Sequence, residues 1–222
     1  MKFELIAPPP HLADYVRLFW FMEFDAAGRA PFIHHAFAHH CCEVIFCYSG
    51  SLRYESASSG ERRLFSGVYG QTQHISKVTA EAGFGAFGCY LYPYALMQLF
   101  DLSAKEITDQ TIDLKALCGR EGELLEERIM LVPDNARRMK LVIDFLEARL
   151  KNINTGLLPF CASLKAISGG YNGIDVRTWA SDHFLSVRQF ERRVQELSGF
   201  SPKQFLRIAR LNAVLNKSFQ GK

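Results

Sequence analysis

Hydrophobic and polar positions follow two different rhythms along the 222 residues of this chain. In the first hundred, the runs Tyr15 to Phe24, Glu43 to Tyr48, Leu64 to Tyr69 and Phe84 to Tyr92 are short and rich in aromatic and β-branched residues, with Gly, Ser or Pro between them. Such residues suit a pleated, half-buried surface, so the runs predict strands of a small antiparallel barrel or sandwich. Ser49-Gly50, between two runs, predicts a hairpin turn. From Tyr94 the rhythm turns helical. Leu96, Leu99 and Phe100 open a helix, a link follows near Asp101 to Asp113, and Glu123 to Leu131 is helical again. Met139, Val142, Ile143, Leu146 and Leu150 then recur at helical spacing and predict one amphipathic helix. Lys151 to Gly156 punctuates the chain and marks a domain boundary.

The densest local signals lie between Trp179 and Leu215. Asp175 caps a helix through Val176, Trp179 and Ala180. After a short link, Ser186 and Gln189 form a capping box in which each side chain satisfies a free backbone N–H, and Leu185 and Phe190 form the accompanying hydrophobic staple. A helix therefore begins at Val187, buries Phe190, Val194 and Leu197 along one stripe, and ends at Gly199 in the left-handed cap conformation. Arg188, Arg192 and Gln195 point away from that stripe, and such groups can read purine edges or grip phosphates. Ser201, Pro202 and Gln204 repeat the box, Phe200 and Phe205 repeat the staple, and a helix follows from Pro202 to about Leu215. Its apolar residues Phe205, Leu206, Ile208, Ala209, Leu211, Val214 and Leu215 exceed one stripe, which predicts packing on two sides. Lys203, Arg207 and Arg210 share its polar face.

These residues resemble the AraC/XylS family of bacterial transcription regulators. The match covers the first of that family's two helix-turn-helix units and the linker helix behind it. It consists of the support helix (Trp179, Ala180), the recognition helix S-x-x-x-[LF]-x-R (Ser186, Phe190, Arg192), the segment G-[FLH]-S-P-x-x-[FY] (Gly199 to Phe205), and the pair Arg210-Leu211. The resemblance implies that Arg188, Glu191 and Arg192 touch bases, with Gln189 beside them. It also implies a degenerate cupin-like barrel ahead of the DNA-binding part, carried more diffusely by Leu12 to Val16 and Tyr92-Pro93, that senses a small effector or forms a homodimer. The family's second unit is absent before Lys222, so either a fragment of a longer regulator or a natural truncation with a different mode of action is expected, and the broad apolar surface of the Pro202 to Leu215 helix favours the fragment.

Composition agrees. Residues 174–222 hold nine Lys and Arg against four Asp and Glu, a net charge of +5, while the other 173 residues carry −2. Positive charge gathered around the basic helix is the footprint of a phosphate-binding surface. No signal-peptide pattern or membrane-spanning run appears, which predicts a cytoplasmic protein with no membrane partner. The six cysteines lack CxxC spacing and read as small buried residues. His34, His35, His39, His40, Cys41, Cys42 and Glu43 offer an alternative, a cupin-type metal-binding protein or enzyme. However, alternation along a strand sends His39 and Cys41 to one face and His40 and Cys42 to the other. No phosphate loop, nucleophile elbow or H-E-x-x-H is present, so no enzyme, catalytic residue, metal or cofactor is expected.

The expected architecture is α+β. An N-terminal antiparallel β-barrel over 1–93 and a helical segment over 94–150 make a sensor or dimerisation domain of residues 1–152. An all-α helix-turn-helix DNA-binding domain follows over 157–222. Double-stranded DNA is the expected partner, met by Arg188, Gln189, Glu191, Arg192, Gln195, Lys203 and Arg207.

Overall fold

The computed structural model describes residues 1–27, 30–57, 60–150, 158–169 and 173–220, with the side chains of 158 and 216–220 excepted. Ten strands occur among them: β1 (Lys2–Ile6), β2 (Val16–Phe24), β3 (Phe32–Ala36), β4 (Cys42–Ser49), β5 (Arg53–Ser56), β6 (Gly60–Arg63), β7 (Gly67–Tyr69), β8 (Ser76–Ala80), β9 (Phe84–Leu91) and β10 (Thr111–Asp113). The helices are α1 (Ala95–Phe100), α2 (Ala104–Ile107), α3 (Leu114–Cys118), α4 (Arg120–Leu131), α5 (Asn135–Arg149), α6 (Leu158–Gly169), α7 (Val176–Asp182), α8 (Val187–Ser198) and α9 (Pro202–Gln220). The boundary expected at Lys151 to Gly156 lies outside the described residues. Among the described residues no helix is long and apolar enough to cross a membrane.

The strands form two antiparallel sheets, ordered β1-β2-β9-β4-β7-β10 and β3-β8-β5-β6, and the expected barrel does not close. The reason is visible at Ser49-Gly50, which is not a hairpin. β4 pairs with β7 and β9, whereas β5 pairs with β6 and β8, so the chain turns a corner from one sheet to the other. Gly50 takes φ 71° there, and a Cβ would run into the backbone of Gly83. The Leu64 to Tyr69 run shortens to β7, and the link at Asp101 to Asp113 contains α2 and β10. α2 is only four residues long, but Ser103 and Glu106 give it a full capping box.

The larger sheet is covered on both faces, which makes three layers. Phe19 and Phe21 of β2, Val44 and Phe46 of β4, and Phe87, Cys89 and Leu91 of β9 join the helices in one core. Their alternates Trp20, Ile45, Phe84 and Ala86 face the smaller sheet in a second core. Strands buried on both faces read as nearly continuous apolar runs, as β2 does. Phe21 and Phe87 stack at 4.4 Å on the helical side. That core continues without a break through α5 and α6 to Trp179, Phe190 and Phe205.

Candidate nucleic-acid interface and inter-sheet cavity

The helix-turn-helix forms from the residues that predict it. Asp175 accepts hydrogen bonds from the N–H groups of Arg177 and Thr178 at the start of α7. The turn passes through Phe184, left-handed at φ 54° and 96% exposed. At α8, Gln189 N–H donates to Ser186 Oγ at 3.3 Å, and Ser186 N–H donates back to Gln189 Oε1 at 3.2 Å. Phe190, Val194 and Leu197 are buried. Trp179 holds the unit together: its ring meets Phe190 edge-on at 4.9 Å, and its indole N–H donates to Ser163 Oγ of α6 at 2.6 Å.

Arg188, Gln189, Glu191, Arg192, Gln195, Lys203 and Arg207 are all exposed. Arg188, Arg192 and Gln195 each sit two residues, about 200° of helical rotation, from a buried residue of the stripe. Arg192 is tied only loosely, with Nε 3.8 Å from Glu196 Oε1. Gln189 is more constrained, because its carbonyl oxygen serves the cap. It therefore cannot both donate to and accept from an adenine edge without giving up the box.

The C-terminal end of α8 is fastened to the sheet domain. Gly199 takes φ 76°, and a Cβ there would collide with Gln71 Nε2 and Thr108 Oγ1. Gln71 is fully buried. It accepts from the Cys42 thiol at 2.9 Å and donates to the Ala104 carbonyl at 2.7 Å and to Thr108 Oγ1 at 2.6 Å. The Thr108 hydroxyl donates to the Gly199 carbonyl at 3.1 Å, and the Ser103 hydroxyl to that of Glu196 at 3.1 Å. Gln204 and Asn212 of α9 add bonds to Gln73 and to the Ala38 carbonyl.

Between the sheets lies a cavity of about 340 Å³, within the size range of small-molecule sites. Its wall is largely apolar and aromatic, with Trp20, Phe32, Tyr54 and Phe84 prominent, and Asn212 and Leu215 of α9 close one side. The polar groups gather at one end. Tyr69, Glu43 and Tyr90 stand opposite one another across β7, β4 and β9. Arg17 sits where β2 bulges between Val16 and Leu18, a device that re-aims a side chain, and its Nη1 is 3.1 Å from His39 Nε2. Burial pushes the Glu43 carboxyl up to about 7, opposed by donors on Trp20 and Tyr90. The Trp20 indole N–H lies near the carboxyl but outside normal hydrogen-bond geometry. Burial and Arg17 bring His39 down to about 4. His40 is held well below the usual histidine range by burial; it faces Phe205 at 6.0 Å, and the Asn212 side chain lies near its ring but outside normal hydrogen-bond geometry.

The cluster from His34 to Glu43 is divided as strand alternation requires. His39, Cys41 and Glu43 face the cavity, while His40 and Cys42 face the helices. Among the described residues no three His, Cys, Asp or Glu side chains come together in a way that could hold a metal. All six cysteines are free, and burial raises Cys41 to about 11. Sequence reasoning missed Arg17, Trp20, Tyr90 and Asn212. An arginine inside an apolar strand run was the available sign for Arg17; for Asn212 it was a polar residue within the broad apolar surface of α9.

A family model described as "Domain of unknown function (DUF6597)" matches residues 4–113. The match covers just under half of the chain and takes in most of the strands, α1 and α2, and so nearly all of the cavity wall. Asn212 and Leu215 reach the matched segment from outside it. Past that segment, α7, α8 and α9 stand in the order of the support, recognition and linker helices that the chain's AraC/XylS resemblance implies. No curated protein matches the chain. Among solved structures, ToxT from Vibrio cholerae is 7% identical over 89% of this chain and 82% of its own, with a TM-score of 0.47. The AraC-like transcriptional activator CuxR is 12% identical over 96% and 86%, with a TM-score of 0.38. A protein from Neisseria meningitidis is 15% identical over 40% and 82%, with a TM-score of 0.30. Likeness this loose carries no functional argument.

Proposed function

We propose that this chain is a sequence-specific DNA-binding transcription regulator of the AraC type. In this reading α8 enters the major groove, Arg188 and Arg192 donate to guanine O6 and N7, and Lys203 and Arg207 hold phosphates. The observation that carries it is the face of α8. A buried stripe, the Ser186/Gln189 capping box and the left-handed Gly199 cap set the helix, and its opposite side presents exposed arginines, of which Arg192 makes only a loose contact to Glu196. The cavity serves as the effector pocket. Because α9 both closes it and follows directly on α8, occupancy of the pocket can reach the DNA-binding helices through Asn212.

Fluorescence anisotropy on DNA from upstream of the chain's own gene tests this. Binding should weaken linearly in log–log form as salt rises, with a slope of about −0.9 per phosphate neutralised. Arg192→Ala should remove ~1–3 kcal/mol of sequence discrimination, whereas Lys203→Ala should weaken binding evenly across sequences. An Arg192→Ala protein as selective as the parent would sink the assignment of α8.

A further inference from the structure

Two ionisable side chains meet the cavity without a partner of opposite charge among the described residues. Glu43 lies between Tyr69 and Tyr90, and among the described residues no Lys or Arg forms an ion pair with it. Arg17 spends one donor on His39 and makes a long contact of 3.9 Å to Cys41 Sγ, and among the described residues no carboxylate forms an ion pair with it. The two do not pair with each other. Arg17, the Cys41 beside its guanidinium, and Glu43 all line the cavity. A carboxylate and a guanidinium withdrawn from water and left unpaired carry a desolvation cost that ligand groups of opposite sign relieve. Trp20 adds a buried N–H without a partner on the same wall.

We propose that the cavity takes a zwitterionic ligand with an aromatic body, an amino acid or a derivative keeping both charges, with its ammonium on Glu43 and its carboxylate on Arg17. This deepens the effector reading above and rests on it. The ammonium and carboxylate of such a head sit on one carbon, so a single ligand can offer a charge-assisted bond to each of the two cavity groups. The ring enters among Trp20, Phe32, Tyr54 and Phe84. A purely anionic ligand leaves Glu43 unpaired, a purely cationic one leaves Arg17 unpaired, and a neutral one leaves both. Glu43 meets Tyr69 from β7, Tyr90 from β9, Trp20 from β2 and the nearby Cys41 thiol. None of the groups acting directly on Glu43, which are Trp20, Tyr69, Tyr90, Cys41 and Cys89, is a cation, so an arriving ammonium supplies what the site lacks.

Titration calorimetry on the full chain with L-phenylalanine, L-tryptophan, phenethylamine and 3-phenylpropionate tests the assignment. At least one amino acid should bind about tenfold or more tighter than either singly charged analogue. Glu43→Gln should abolish the advantage over 3-phenylpropionate, and Arg17→Gln the advantage over phenethylamine. Melting curves check that both variants fold. The proposal fails if neither amino acid binds, if a singly charged analogue binds as well, or if both variants bind the amino acid like the parent. DNA retention by the same ligand-free preparations is scored separately. Its persistence alongside failed ligand binding overturns only the ligand class, and its absence alongside successful ligand binding overturns only the regulator.

Discussion

Glu43 shows how one residue changes meaning between sequence and structure. In the sequence it ends a run of histidines and cysteines and reads as a candidate metal ligand; in the fold it is, among the described residues, the one acid lining an aromatic cavity. Its carboxyl holds a proton more readily folded than unfolded. That contribution to stability is complete below the ordinary value near 4.5 and is lost as the pH rises through about 7. Glu43→Gln should leave the melting temperature nearly unchanged at pH 4 and raise it at pH 8, by the equivalent of about 2–3 kcal/mol. An equal effect at both pH values would show that the carboxyl is not withdrawn from water. His39 and His40 act in the opposite sense. Their depressed values favour the fold above pH 6.5 and weaken it as the pH falls toward 4, in parent and variant alike.

Among the elements, α8 was the most legible and α2 the least. A capping box, a staple and a C-terminal glycine act within one or two turns, so Ser186, Gln189 and Gly199 could be read without any tertiary information. α2 carries the same kind of box at Ser103 and Glu106, yet four residues have too little apolar period to stand out. The strands β5 and β6 escaped for a related reason: the segments Arg53–Ser56 and Gly60–Arg63 are polar and exposed at the outer sheet. Gly199 has a second role that the sequence does not show, since its bare Cα lets Gln71 approach. Gly199→Ala should therefore cost more than the ~1 kcal/mol of a left-handed cap, because Gln71 and Thr108 must also move. Denaturant unfolding would register this, and a loss no larger than the cap value would mean that the Gln71 network is not tight.

For the whole molecule the central fact is that one core runs from the larger sheet into the helix-turn-helix. The expected division at 151–156 separates the parts in sequence, but Lys165 bonds to Ala13 and Asp14, and Asn212 to Ala38, joining residues more than 150 positions apart. If α9 transmits the state of the cavity, Asn212→Ala should weaken the effect of cavity ligand on DNA affinity while leaving ligand affinity within a few-fold. Anisotropy titrations with and without ligand would measure that coupling, and an unchanged coupling would place transmission elsewhere.

What the sequence by itself determined were the features governed by neighbours in the chain: the period of each helix, its caps, the aromatic strands, and the exposed arginines of α8. Tertiary structure alone decided that Ser49-Gly50 turns between sheets, that the barrel stays open, and that Arg17 and Glu43 share a cavity closed by α9. The physical reason is range. Capping and amphipathic period are set within a few residues, whereas strand partners and the pairing of buried charges depend on residues from 17 to 215 meeting in one place, and no local pattern records that meeting.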